Sequence, residues 1–181
     1  MVRIVGGWAS GLRIEAPAGT GTRPTQERVR EAVFNSLMGV LQDARVLDLY
    51  AGSAAMGLES VSWGASLCIA VEPSRKAQAV IRANIAHVGM ADWVQLWPTT
   101  AESALVRLKS SGEKFDVIIC DPPWRDGLSQ AVRESLPEVL APMGVVVVEH
   151  PAHQEPGALP GLVVSKARSY GDTAVSYWVR P

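Results

Sequence analysis

Cysteine is scarce in this 181-residue sequence: Cys68 and Cys120 are the only two, lying in or beside the apolar runs Leu67 to Val71 and Val117 to Ile119. Cysteines in such runs act as small core hydrophobes, which argues against a disulfide framework or a cysteine-based metal site. Long apolar runs are missing too. None approaches the roughly 18 to 20 residues of a membrane-crossing helix, and the opening Met1-Val2-Arg3-Ile4 lacks a signal-like stretch. A cytoplasmic protein with no membrane partner is expected. Neither sign of charge is in excess: 17 Lys and Arg against 18 Asp and Glu leave a net of -1, so composition alone gives no sign of a phosphate-rich partner. Histidine is limited to His87, His150 and His153, dispersed without a partner cluster, and no metal is expected. What is abundant is apolar: 48% of residues are hydrophobic and 19% charged. That balance supports one domain with a full core and excludes global disorder.

The distribution of charge says more than its total. Residues 1 to 30 contain Arg3, Arg13, Arg23, Arg28 and Arg30 against Glu15 and Glu27, a net of +3, which leaves -4 for the other 151 residues. Arginine grips phosphate bidentately and stacks on bases; the plainer alternative is a solvated surface extension.

Two short β-like stretches flank a glycine-rich turn in residues 2 to 16, predicting a hairpin. Pro17 to Thr22 reads as loop. Thr25 is suited to cap a helix whose apolar positions Val29, Val33, Phe34, Leu37 and Leu41 recur at helical spacing, leaving Arg28 and Arg30 off the apolar face and free to meet a ligand. From Arg45 the sequence alternates: strand Val46 to Tyr50, a small-residue turn, a helix to about Trp63, strand Leu67 to Glu72, a helix from Ser74, strand Trp93 to Trp97, a helix from about Ala101 to Lys109, and the apolar strands Phe115 to Cys120 and Val145 to Val148. After Pro151, Leu162 to Val164 and Ala174 to Val179 have no helix between them, which predicts an antiparallel hairpin. The expected fold is α/β, a doubly wound, Rossmann-like, mostly parallel sheet closed by that hairpin. A hairpin-and-helix extension (residues 1–42) precedes the main domain (43–181).

In such a sheet, ligands sit beyond the carboxyl ends of the strands. Three motifs fall there. Asp48-Leu49-Tyr50-Ala51-Gly52-Ser53-Ala54-Ala55-Met56-Gly57 is a small-residue turn that admits a cofactor to the backbone, but it lacks the G-x-G-x-x-G spacing of dinucleotide enzymes. Glu72, 24 positions after Asp48, is placed to accept both hydroxyls of a ribose; alternatively it only favours the dipole of the helix starting at Ser74. Asp121-Pro122-Pro123-Trp124 fixes an acid and the Pro122 carbonyl toward one spot and adds a flat aromatic face for a base; the alternative is a bland turn.

Together, Asp48 to Gly57 and Asp121-Pro122-Pro123-Trp124 resemble the S-adenosylmethionine-dependent methyltransferases of exocyclic amines, whose fourth motif is (Asp/Asn)-Pro-Pro-aromatic. Arg3-Ile4-Val5-Gly6-Gly7, Arg23-Pro24-Thr25, Arg28-Val29-Arg30-Glu31 and Phe34-Asn35 look, more narrowly, like the RsmD family, which methylates N2 of one guanine in bacterial 16S ribosomal RNA. The resemblance is densest from Arg23 to Glu72 and at Asp121 to Trp124. It implies a monomeric Rossmann-like methyltransferase acting on 16S rRNA, within a small ribosomal subunit or an assembly intermediate, with S-adenosylhomocysteine as product. It also implies a cofactor-binding set of Asp48, Tyr50, Ala51, Gly52, Ser53, Glu72, Pro73, Thr100 and Ala101, a catalytic set of Asp121, Pro122, Pro123 and Trp124, and an RNA-binding set of Arg3, Arg23, Thr25, Arg28 and Arg30.

Two positions depart from the family pattern. Ala54 stands where the turn usually has glycine, and costs about 1 kcal/mol where φ is positive. Near Thr100, where the family holds the adenine amino group with Asn or Asp, this sequence offers only Thr99, Thr100 and Glu102. The motifs also fit methyl transfer to DNA adenine, protein glutamine or a small molecule, or a silent RNA-binding module that has lost its cofactor; a nicotinamide oxidoreductase fits less well.

Overall fold

The computed structural model of the chain describes residues 1–16 and 24–181, without the side chains of Pro24 and Thr25. The expectations placed on the 17–22 loop, on Arg23 and on the Thr25 side chain lie outside the described residues. Within them the chain runs β1 (Val2–Arg3), β2 (Arg13–Ile14), α1 (Pro24–Leu41), β3 (Arg45–Asp48), α2 (Ala55–Ser62), β4 (Leu67–Val71), α3 (Arg75–Val88), β5 (Val94–Trp97), α4 (Ala101–Ser111), β6 (Phe115–Cys120), α5 (Gln130–Val139), β7 (Leu140–Pro151), β8 (Val163–Tyr170) and β9 (Thr173–Val179).

The large sheet has the order β5-β4-β3-β6-β7-β9-β8. Its first five strands are parallel, and β7, β9 and β8 pair antiparallel, as the sequence pattern predicts. Successive residues of the inner strands point to opposite faces, so two cores form. Val46, Val117, Ile119 and Val147 face α1, α2 and α3; Leu47, Ile118, Val146 and Val148 face α4 and α5. Cys68 is buried in the first core and Cys120 in the second, so the two thiols lie on opposite faces of the sheet.

The N-terminal hairpin forms with Val2 opposite Ile14, and α1 buries Val29, Val33, Phe34, Leu37 and Leu41. Ile4, Ile14 and these α1 residues share one apolar core with Val46 and Leu58 of the sheet layer. Because α1 begins at Pro24, Thr25 lies inside the first turn and not ahead of it; the fixed φ of proline suits the first helical position.

The sequence pattern predicts no element between Trp124 and Val145. There the chain forms α5, capped by Ser129 Oγ accepting from Val132 N at 3.3 Å, and β7 starts at Leu140. Among the described residues no helix is long and apolar enough to cross a membrane.

Candidate active site

The strand order reverses between β3, which leads to β4 and β5 on one side, and β6 on the other. Side chains beyond the carboxyl ends of these two strands converge there. A cleft open to solvent is lined by Tyr50, Ala51, Gly52, Ser53, Ala55 and Met56 after β3, by Asp121 after β6 and by Glu149 of β7. Val2, Ala16, Gln26 and Arg30 form its N-terminal wall. Pro122 and Trp124 open onto an adjoining recess with Leu128, Arg133 and His150, and Glu149 lines both spaces. The Asp-Pro-Pro-Trp turn therefore divides its residues between two neighbouring recesses.

The turn after β3 is held from both sides. Gly52 has φ +58, with open space where a Cβ would stand, and its N–H donates to Glu72 Oε2 at 3.0 Å. Asn84 Nδ2 of α3 donates to Ser53 O at 3.0 Å and to Glu15 O at 2.9 Å. Gly57 lets α2 approach the strands: a Cβ there would stand 2.8 Å from Cys68 Sγ and 3.5 Å from Asp48 Oδ2. Ala54, at φ 61 and ψ 25, takes the left-handed conformation that glycine would adopt without strain.

Four carboxyl groups gather on this side of the sheet, Asp48, Glu72 and Asp121 at the ends of their strands and Glu149 within β7. Asp48 is buried, and its Oδ2 has no hydrogen-bond partner among the described residues. Burial, then the charges of Asp121 and Glu72, push its carboxyl up to about 7 against the opposing N–H groups of Gly57 and Tyr50. Desolvation raises Asp121, which keeps contact with solvent. Desolvation and the neighbouring Asp121 charge raise Glu149. Acids pushed toward their neutral forms in one place mark a site that gains from a cationic ligand.

Glu72 accepts from Ser74 N at 2.8 Å as well as from Gly52 N, so it steadies the start of α3 and the β3 turn together. Pro73 follows, and its carbonyl accepts from Gln78 Nε2 at 3.2 Å. Thr100 is the cap of α4, its Oγ1 accepting from Ser103 N at 3.3 Å, and Ala101 is buried at the first position of that helix. Nearby, Glu102 accepts from Ser129 Oγ at 2.8 Å.

The arginines separate. Arg28 is exposed. Arg3 pairs with Glu27 at 2.5 Å on the surface. Arg30, expected to be free, is 7% exposed; its Nε donates to Glu59 Oε2 at 3.2 Å and its Nη2 to Arg3 O at 2.6 Å. A helical face lacking apolar residues turned inward because a buried carboxylate waits there. Three residues, Glu59, Asn84 and Glu149, have roles that the sequence motifs did not point to. The available signals were a lone acid in the apolar helix Gly57 to Val61, an amide among the apolar positions of α3, and an acid following four valines, as in the strand-end acid Glu72.

Comparisons with known proteins agree with this geometry. A family model described as conserved hypothetical protein 95 matches residues 2–179. YlbH of Bacillus subtilis, provisionally named an rRNA methyltransferase, is 32% identical over 180 residues, 98% of each chain. Ribosomal RNA small subunit methyltransferase D of Escherichia coli K12 is 36% identical over 129 residues, 70% of this chain and 62% of that one. Among solved structures, yhhF of Escherichia coli, provisionally named a methyltransferase, superposes with a TM-score of 0.86 at 30% identity over 99% of this chain and 97% of that one. A hypothetical protein of Thermus thermophilus gives 0.84 at 30% identity over the whole of both. With the model spanning nearly every residue and a relative this similar along its full length, the chain belongs to the conserved hypothetical protein 95 family, that of the RsmD-type methyltransferases its motifs resemble.

Proposed function

We propose that this protein transfers a methyl group from S-adenosylmethionine to the exocyclic N2 of a guanine in small-subunit ribosomal RNA. One observation carries the reading: the small-residue turn Ala51-Gly52-Ser53 and the acid of the Asp-Pro-Pro-Trp turn line one cleft at the switch point of the sheet. The acid-lined floor suits a ligand bearing a sulfonium and an ammonium group, and the open space at Gly52 admits it to the backbone. The residues present therefore fit S-adenosylmethionine. When bound, that group supplies an electrophilic methyl.

In this reading Tyr50, Ala51, Gly52 and Ser53 hold its methionine portion beside Asp48. Glu72 and Pro73 meet the ribose, with Glu72 exchanging a backbone N–H for a hydroxyl. Thr100 and Ala101 border the adenine. Asp121 and the Pro122 carbonyl accept the two N–H bonds of the target amine, which localises its lone pair, and Trp124 supports the base from the adjoining recess. The Asp121 carboxylate then stabilises the positive charge developing on nitrogen and receives the released proton. Pro123 fixes the turn: its carbonyl accepts from Asp126 N and from Gly127 N, each at 3.0 Å.

The N-terminal extension, residues 1–42, serves the RNA. Arg28 and Arg23 contact phosphates together with Thr25 and Arg3, while Arg30 sets the wall of the cleft. A base in structured RNA must be unpaired or flipped to enter, and a small ribosomal subunit or its assembly intermediate is the acceptor.

The test is methyl transfer to unmodified small-subunit particles. Asp121→Ala should lower turnover at least ~100-fold while S-adenosylmethionine binding, measured by calorimetry, stays within about threefold. Full turnover in this variant would remove Asp121 from the reaction. Arg28→Ala should weaken RNA binding and lower its salt slope by about 1.

A further inference from the structure

Glu149 is the one cleft-lining acid to which the reading above gives no work. In the parallel pairing of β6 with β7, Cys120 stands opposite Val148, and both side chains enter the same core. The next residues, Asp121 and Glu149, therefore turn to the other side together, on strands about 4.8 Å apart. Both line the cleft, and Glu149 alone of the two also lines the recess that holds Pro122 and Trp124. Glu149 therefore borders both the space of Asp121 and that of Trp124.

Two carboxyl groups side by side do not ionise independently, and the proton they retain stays on the one that solvent stabilises less. Asp121 is exposed and Glu149 half-buried; burial and the Asp121 charge both raise Glu149. The other charged or titratable groups around it are Tyr50 after β3 and Arg30 of α1 in the cleft, His150 beside it on β7, and Arg133, Asp126 and Glu155 around the recess. A neutral carboxylic acid presents an O–H donor next to a C=O acceptor. The guanine lactam is its complement: N1–H donates, O6 accepts, and the N2 amine continues the same edge. Adenine offers an acceptor at N1 and a donor at N6, and so cannot place N1–H and O6 against the acid while its amine faces Asp121.

Resting on the N2 reading, we propose that Glu149 is the residue that selects guanine, its carboxylic acid pairing with N1–H and O6 of the base whose N2 amine faces Asp121. The pairing also fixes the angle at which the amine enters, so Glu149 acts in specificity and positioning together.

The experiment compares wild type, Glu149→Leu and Glu149→Gln on unmodified small-subunit particles from about pH 6 to 9.5. N2-methylguanosine is quantified by mass spectrometry of nucleosides, and S-adenosylmethionine affinity is measured in parallel. Glu149→Leu should lower kcat/KM for RNA by about 10- to 100-fold, the worth of a two-bond base contact, with cofactor affinity within about twofold. Glu149→Gln offers the same donor and acceptor, and should recover at least about tenfold of a ~100-fold loss. Having no proton to lose, it should also keep its rate at alkaline pH, where wild type falls as Glu149 ionises. Glu149→Gln as slow as Glu149→Leu, or an alkaline fall identical to wild type, would overturn the proposal; so would full activity in Glu149→Leu. If the leucine variant fails to fold, the isosteric glutamine variant decides the matter by its pH profile. Failure of the underlying reading looks different: wild type itself then forms no N2-methylguanosine, and the role of Glu149 falls with it.

Discussion

The Arg30 guanidinium and the Glu59 carboxylate form an ion pair, Nε to Oε2 at 3.2 Å, with the two side chains 7% and 0% exposed. Glu59 also accepts from Val5 N at 2.9 Å, Gly6 N at 2.7 Å and Trp63 Nε1 at 3.1 Å. Arg30 in turn reaches Arg3 O. One acid of α2 thus ties the N-terminal segment and α1 to the sheet layer through charge-assisted bonds.

Removing one member of such a group leaves the other buried and uncompensated, at a cost of roughly 3–5 kcal/mol. Glu59→Ala should therefore lower the melting temperature by on the order of 10 °C, and should open residues 1–16 to proteolysis before the rest. Arg30→Met added to Glu59→Ala should restore part of the loss by removing the stranded charge. A single variant melting within about 2 °C of wild type, with its N-terminus still protected, would show that the contacts of Ile4, Ala9 and Ile14 suffice.

Ala54 raises a balance that magnitudes decide. Its left-handed backbone costs an L-residue about 1–2 kcal/mol, yet its methyl is fully buried, a gain of about 0.8 kcal/mol. Glycine would relieve the strain, lose the methyl and loosen the unfolded chain by a further 0.4–1 kcal/mol or so. The effects nearly cancel. Ala54→Gly should shift the melting temperature by no more than about 3 °C, whereas Ala54→Val, branched at Cβ in a left-handed position with no free space, should fall by far more. A large stabilisation by glycine would mean that the methyl contributes little there.

The doubly wound sheet was legible because buried parallel strands are written as apolar runs. Val145 to Val148 and Phe115 to Cys120 need no partner to be recognised. The strand-end acids Asp48, Glu72 and Asp121 were legible for a related reason, since topology places such positions beside a ligand. Helix α5 was not, although Val132, Leu136 and Val139 keep helical spacing after the Ser129 cap: Pro137 near its end reads as a breaker. The pairing of Arg30 with Glu59 is not legible because a helical face shows only which residues avoid the local apolar stripe. Which surfaces close over them is settled by the hairpin, roughly 25 to 55 residues away in sequence. Glu149 escaped because a single acid after a strand acquires meaning only beside Asp121, and that neighbourhood depends on the register of β6 with β7.

Asp48 supplies a prediction in which the sign matters. Its carboxyl is pushed up from 3.8 to about 7 in the folded protein, so between those values the native state binds the proton that the unfolded state has released. The contribution to stability is fully present below about 3.8 and is lost as pH rises through about 7. At ~1.4 kcal/mol per pH unit, denaturant melts at about pH 4.5 and pH 8 should show Asp48→Asn gaining roughly 3 kcal/mol on wild type across the interval. A difference independent of pH would mean that the buried carboxyl titrates normally. The same group links to the ligand. A sulfonium seated near Asp48 favours its ionised form, so S-adenosylmethionine should bind wild type more tightly, relative to S-adenosylhomocysteine, as pH rises from about 6 to 8. Asp48→Asn should abolish that trend. Equal pH dependence for the two ligands in wild type would place the sulfonium away from Asp48.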